Sequence, residues 1–225
     1  MKIYYHPVST TCRPIMLFAA DHGLKLDYQL VDLFTGEHLQ PAYASINPSC
    51  MIPMLEDGDF RLTESSAILK YLAEKVGSAA YPADLRQRAR INEQMDWLNT
   101  GFYRDLGYGL IYPQALPHHR RPDEQTQAGT IEWARAKSKT WLKVLDEHLI
   151  GPNNNYLGGS DISLADYLGV AYLTVGEVIH LDYSAYPNLS RWLRTMKARP
   201  NWAPTNEAFY AHFVAPYKEA SFVGL

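Results

Sequence analysis

From Lys2 to about Val76 the chain alternates short apolar runs of strand type with runs at helical spacing. From residue 85 to residue 200 only the helical spacing recurs, so the structural class changes near Gly77. The run Ile3-Tyr4-Tyr5 predicts a strand over residues 2–5, then a turn at His6 to Thr10 and a helix from about Thr11 to His22. Gly23 follows where a left-handed helix cap is expected. A second strand is predicted at about Asp27 to Val31, and after it an irregular, partly helical stretch containing Gly36, Pro41 and Pro48. Met54 to Glu56 and Phe60 to Thr63 flank Asp57-Gly58, which supplies the positive φ values of a tight hairpin turn. The next helix is predicted to start near Glu64, with Ile68, Tyr71, Leu72 and Lys75 on one face.

This βαβαββα order is that of thioredoxin-like domains, a likeness of fold that carries no function by itself. In the second half Ile131, Ala134, Ser138, Leu142, Leu145 and Leu149 recur at steps of three and four, the mark of a long amphipathic helix. Leu164, Leu168, Ala171, Val175 and Val178 repeat the spacing, as do Leu189, Trp192, Leu193 and Met196. Ser163 with Asp166 three residues on reads as an acidic capping box, and Ile162 is placed for a hydrophobic staple. Residues 201–225 lose the period and are expected to form a packed or mobile tail. The chain thus divides into an α/β domain over residues 1–77, a linker rich in Gly, Ser, Ala, Pro and Asp at 78–84, and an all-α helical domain over 85–225.

Composition narrows the classes of function. With 225 residues and 47% apolar content the chain buries a substantial core, and a formal charge of −3 supplies no basic face for nucleic acid. The one dense basic spot, His118-His119-Arg120-Arg121, is bracketed by Pro117 and Pro122 and reads as a solvated loop. No apolar run reaches the length of a membrane span. Cys12 and Cys50 are too few for a disulfide framework and lack zinc-ligand spacing, so no metal site and a reducing, cytoplasmic location are expected.

The turn Ser9-Thr10-Thr11-Cys12 occupies the frame in which thioredoxin-like redox proteins carry Cys-x-x-Cys at the start of the first helix. The leading cysteine is replaced by a hydroxyl, so the sulfur is expected to arrive with a ligand. A hydrogen bond to a charged group contributes roughly 1.5–3 kcal/mol and a helix terminus roughly 0.3–1 kcal/mol. Together they lower a bound thiol's pKa by about one to three units, enough to ionise much of a thiol near ~8.5 at neutral pH. Spacing alone equally allows Ser9 to be a plain helix cap. Cys12 is the rival nucleophile, with a small buried packing residue as its simpler reading, and Arg13 either holds a carboxylate or braces the domain interface.

The segment Asn47-Pro48-Ser49-Cys50-Met51-Ile52-Pro53-Met54-Leu55-Glu56-Asp57-Gly58, followed by Leu62-Thr63-Glu64-Ser65-Ser66-Ala67-Ile68, closely resembles the glutathione-binding site of the cytosolic glutathione transferases. Ser163-Leu164-Ala165-Asp166 is similar to that family's helix-capping motif, so the resemblance covers nearly the whole chain. Val8 to Pro14 and Val31 to His38 look most like theta-type and related bacterial members. The resemblance implies Ser9 as the thiolate-stabilising residue, and a cis proline, Pro53, that exposes the main chain of Ile52 to the cysteinyl part of glutathione. It also implies Glu64 and Ser65 for the γ-glutamyl ammonium and carboxylate, and Met51 and His38 beside the glycyl end. Two departures stand out: Cys50 replaces a usual Gly, and Met51 falls where theta-type members often carry Lys.

The implied function is a glutathione transferase in which the Ser9-activated thiol attacks a small hydrophobic electrophile lying between the domains. Glutathione is then a co-substrate rather than a permanently bound cofactor, and a C2 homodimer is implied. Tyr103, Tyr108 and Tyr112, interleaved with Gly101, Gly107 and Gly109, are candidates for the electrophile pocket, with plain packing as the alternative. Glutathione-dependent dehalogenation and a non-catalytic binding protein of the same fold are the other readings, and glutaredoxin-like chemistry at Cys12 a third.

Overall fold

The computed structural model describes all 225 residues. Four strands, β1 (Lys2–Tyr5), β2 (Asp27–Leu30), β3 (Met54–Asp57) and β4 (Phe60–Thr63), form a mixed sheet in the order β2-β1-β3-β4. The pair β1–β2 is parallel, with Ile3 opposite Tyr28, while β1–β3 and β3–β4 are antiparallel. Only the last two strands are joined by a tight turn, where Gly58 takes φ 64°. The parallel pair needs a crossover, and α1 (Arg13–Asp21) supplies it. That helix starts two residues later than its apolar pattern suggests. The N–H groups of Cys12 and Arg13 both donate to the Ser9 carbonyl, at 3.1 and 3.0 Å, and close a turn before the helix proper.

The irregular stretch resolves into a 3-10 turn (Glu37–Leu39) and a short helix, α2 (Pro41–Ala44). The sheet domain ends with α3 (Ser65–Val76), capped by Gly77 at φ 62°. All the rest is helical: α4 (Leu85–Trp97), α5 (Tyr112–Ala115), α6 (Glu124–Val144), α7 (Leu164–Thr174), α8 (Pro187–Lys197) and α9 (Trp202–Phe209). Between α4 and α5 the backbone widens into π-type turns over Leu98–Phe102 and Arg104–Ile111. None of the helices is long and apolar enough to cross a membrane.

Every residue of α7 is buried, which makes it the axis of the helical domain. Its first turn carries the capping box expected from Ser163 and Asp166. Asp166 accepts from Leu157 N, Ser163 N, Ser163 Oγ and Trp192 Nε1 at 2.7–2.9 Å, so one carboxylate ties the preceding loop, α7 and α8 together. The two domains share one continuous apolar core, which runs from Ile3, Phe18 and Leu72 to Leu168, Trp192 and Phe209.

The C-terminal segment is where the sequence pattern was least informative. It forms α9 and further helical turns over Tyr210–Val214 and Ala215–Tyr217. The face of α9 turned inward comprises Trp202, Thr205, Asn206 and Phe209, half of it polar, which dilutes the apolar period. Pro204 lies in the first turn, where a missing N–H breaks no helical bond.

Candidate functional site

The Ile52–Pro53 peptide is cis, as the sequence led one to expect, and it presents the Ile52 backbone to the end of β1 and the turn after it. The hydroxyl of Thr11 donates to the Ile52 carbonyl at 3.1 Å, and the Ser9 and Thr11 hydroxyl oxygens are 3.1 Å apart. The Ser9 oxygen also accepts the Cys12 N–H at 3.3 Å. Ser9 therefore holds the turn at the head of α1, yet it stays half-exposed and open to a ligand. Ser9 is not the cap of α1, whose N-cap residue is Cys12; it belongs to the turn before the helix.

Cys12 is 1% exposed and packs among Tyr4, Val31, Tyr43, Ile52 and Met54. Burial pushes its thiol up to about 11, against weaker opposing help from Ser9 and the His6 backbone. A thiol with that pKa is inert at neutral pH, which removes the glutaredoxin-like reading. Arg13 points the other way, into the helical domain, and serves as a brace. Its guanidinium donates to Thr174 Oγ1 at 3.0 Å, Asn206 Oδ1 at 2.9 Å and the Ala171 carbonyl at 3.0 Å, with its Cζ 3.7 Å from the Phe209 ring centroid.

Glu64 and Ser65 open α3. Glu64 has φ 66°, ψ 118°, an uncommon backbone for a residue with a side chain, and its side chain is exposed. Ser65, the first helical residue, is buried, and the N–H groups of a helix's first turn, left without intrahelical partners, are suited to an anion. Cys50, at the place of a usual glycine, takes φ 54°, the left-handed region that glycine occupies at no cost. The Met51 side chain is 56% exposed, and its carbonyl accepts from Tyr43 Oη and Asn47 Nδ2 at 2.8 and 2.7 Å. Half-buried His38 leaves its Nδ1 without a protein partner.

The three tyrosines form one cluster. Tyr103 stacks on Tyr172 with centroids 3.9 Å apart, and Tyr108 meets both Tyr103 and Tyr112 edge-on. Tyr103 and Tyr112 are joined through their hydroxyls, and Tyr112 donates onward to Thr10 Oγ1 at 2.9 Å. Tyr103 and Tyr112 are only 6% and 7% exposed, so of the three only Tyr108, at 37%, offers open surface to a substrate. The other two are buried, and the chain around them is closely packed: a Cβ on Gly107 would lie 2.5 Å from the Tyr103 ring, and one on Gly109 2.6 Å from the Ala134 Cβ. These glycines thus serve close packing rather than looseness. Burial, with the Glu64 carboxylate as a second cause, raises the Tyr108 pKa.

Thr10 beside Ser9 and Tyr112 beside Tyr108 connect the turn and the tyrosines into one candidate region. Thr10, Thr11 and Tyr172 belong to it and were not singled out from the sequence. Two adjacent hydroxyls after Ser9 were the available signal for the threonines, whereas Tyr172 lies off the apolar face by which its helix was read. No group of three His, Cys, Asp or Glu side chains is arranged to hold a metal ion.

Residues 8–75 match the model of the glutathione S-transferase N-terminal domain, and residues 111–200 that of the C-terminal domain. Glutathione S-transferase theta-1 from Homo sapiens and its counterpart from Mus musculus are each 34% identical to the chain over 206 residues, covering 88% of it and 82% of either relative. Among solved structures, the apo form of human glutathione S-transferase T1-1 superposes with a TM-score of 0.79 at 30% identity, covering 92% of this chain and 88% of that one. A delta-class glutathione transferase from Nilaparvata lugens gives 0.80 at 31% identity, covering 96% and 98%.

Proposed function

The chain belongs to the glutathione S-transferase family, and on that premise we propose that Ser9 donates its hydroxyl to the thiolate of bound glutathione. The activated sulfur then attacks an apolar electrophile. Its new bond to carbon forms as the leaving group departs or, for an epoxide, as the ring C–O bond breaks. The observation that carries this reading is the half-exposed Ser9 hydroxyl, tied through Thr11 to the carbonyl of Ile52. Glutathione lying along that backbone brings its sulfur to the head of α1, where helix N–H groups favour negative charge.

In this reading Ile52 and Pro53 hold the cysteinyl backbone, Glu64 pairs the γ-glutamyl ammonium, and Ser65 with the first turn of α3 holds its carboxylate. His38 and Met51 flank the glycyl end, and Tyr108 borders the electrophile. Catalysis comes from thiolate formation and from fixing both reactants. Glutathione acts as co-substrate with no resident cofactor, and the protein works as a cytoplasmic homodimer whose two domains in each chain are linked by residues 78–84. Two unpaired cysteines fit a reducing compartment.

The experiment is turnover of glutathione with aryl halides, haloalkanes, epoxides and peroxides, run beside Ser9→Ala, together with the ultraviolet difference spectrum of bound glutathione. A thiolate band at neutral pH is expected, with kcat/KM reduced about 10- to 100-fold in Ser9→Ala, the loss of one hydrogen bond to a charged group. Full activity in Ser9→Ala, or no thiolate band in wild type, overturns the assignment.

A further inference from the structure

The hydroxyl protons of the turn can be counted. A threonine hydroxyl has one proton to donate and two lone pairs that accept. Thr11 directs its proton to the Ile52 carbonyl at 3.1 Å, and a carbonyl only accepts. In the 3.1 Å contact between Ser9 Oγ and Thr11 Oγ1 the donor is consequently Ser9. One lone pair of the Ser9 oxygen is engaged by the Cys12 N–H at 3.3 Å. The single proton that activation of the ligand's sulfur requires is therefore, in the free protein, aimed at Thr11. The Thr11 side chain is itself fixed from outside the turn, because its partner Ile52 lies 41 residues further along the chain.

We propose that Thr11 is a positioning residue that holds the Ser9 hydroxyl in a parked orientation, so that the glutathione thiolate gains the Ser9 hydrogen bond only in competition with Thr11. This rests on the assignment of Ser9 to the thiolate. When the sulfur ionises, the Ser9 O–H turns about its C–O bond from Thr11 to the ligand, and Thr11 keeps its own bond to Ile52. The bound thiol's pKa then contains the loss of the Ser9–Thr11 hydrogen bond. Without the acceptor at position 11 that loss disappears, and ionisation becomes easier.

The test is the pKa of the glutathione thiol in its complex with the full-length protein, read from the thiolate absorbance as pH is varied. Wild type is compared with Thr11→Val, Thr11→Ser, Ser9→Ala and the double variant Ser9→Ala/Thr11→Val. Valine keeps the branched shape without the hydroxyl. Thr11→Val is expected to lower the pKa by roughly half to one unit, the equivalent of one net neutral hydrogen bond. Thr11→Ser should restore the wild-type value, and adding Thr11→Val to Ser9→Ala should change nothing further. A pKa that is unchanged or higher in Thr11→Val, or that falls equally in the Ser9→Ala background, overturns the role of Thr11 while leaving Ser9 in place. If Ser9→Ala itself leaves the pKa where it was, the Ser9 assignment fails first, and Thr11 with it.

Discussion

Arg13 Nη1 donates to Asn206 Oδ1 at 2.9 Å, joining the first turn of α1 to α9 across 193 residues of sequence. The same guanidinium reaches α7, and burial pulls its pKa down to about 10, which still leaves it charged at neutral pH. The residue that follows the Ser9 turn is thereby anchored in the helical domain, so the position of Ser9 depends on both halves of the chain.

Arg13→Met is expected to cost about 3–5 kcal/mol, since three hydrogen bonds to a buried charge are lost and their acceptors stay buried. For a chain of this size that lowers the melting temperature by roughly 6–20 °C. Urea unfolding measures it, and a loss below about 1 kcal/mol would show that the apolar core alone fixes the domain contact.

Asp166→Ala leaves four donors unpaired and should cost about 3–5 kcal/mol at neutral pH. Burial pushes the Asp166 carboxyl up to about 6, although the four hydrogen bonds oppose it. With a folded pKa above the ordinary 3.8, this group contributes most below pH ~4 and loses that contribution as pH rises toward 6. The stability gap between wild type and Asp166→Ala should accordingly widen when pH is lowered from 7 to 5. A gap that narrows contradicts the raised pKa.

Cys12 is raised from 9.0 to about 11 by burial, so its contribution to stability is complete below pH 9 and is lost as pH rises toward 11. Cys12→Ala should therefore lose less stability than wild type over that interval. At pH 7.5, iodoacetamide is expected to label Cys50 and spare Cys12 in folded protein. Peptide mass analysis that finds both modified at similar rates rules out the buried, protonated thiol.

Met51→Lys should lower KM for glutathione about two- to five-fold, the size of an exposed ion pair with the glycyl carboxylate. Its side chain is already 56% exposed, so folding is not at stake. The gain should shrink in high salt, where exposed charges are screened. An unchanged KM at low salt would move the glycyl end away from residue 51.

The arrangement of strands and first-domain helices was legible because each element obeys its own period. The Asp57-Gly58 hairpin and the Ser163–Asp166 capping box are set by neighbours in sequence. The frame of the first turn and the family resemblance of residues 47–68 pointed to the candidate segments at Ser9, Ile52 and Glu64. The inward face of α9 was not legible, because Thr205 and Asn206 are buried, and Asn206 there serves Arg13, a partner no local pattern reveals. For Tyr103 and Tyr112 the sequence left pocket lining and plain packing both open, and their burial favours packing.

By itself the sequence determined the order of an α/β part followed by helices and the candidate segment from Ile52 to Ser65, since period, turn chemistry and short motifs act over a few residues. Tertiary structure decided what Arg13 braces, why Cys12 is buried and which groups the Ser9 turn meets. Those depend on desolvation and on hydrogen-bond partners that lie 41 to 193 residues away along the chain.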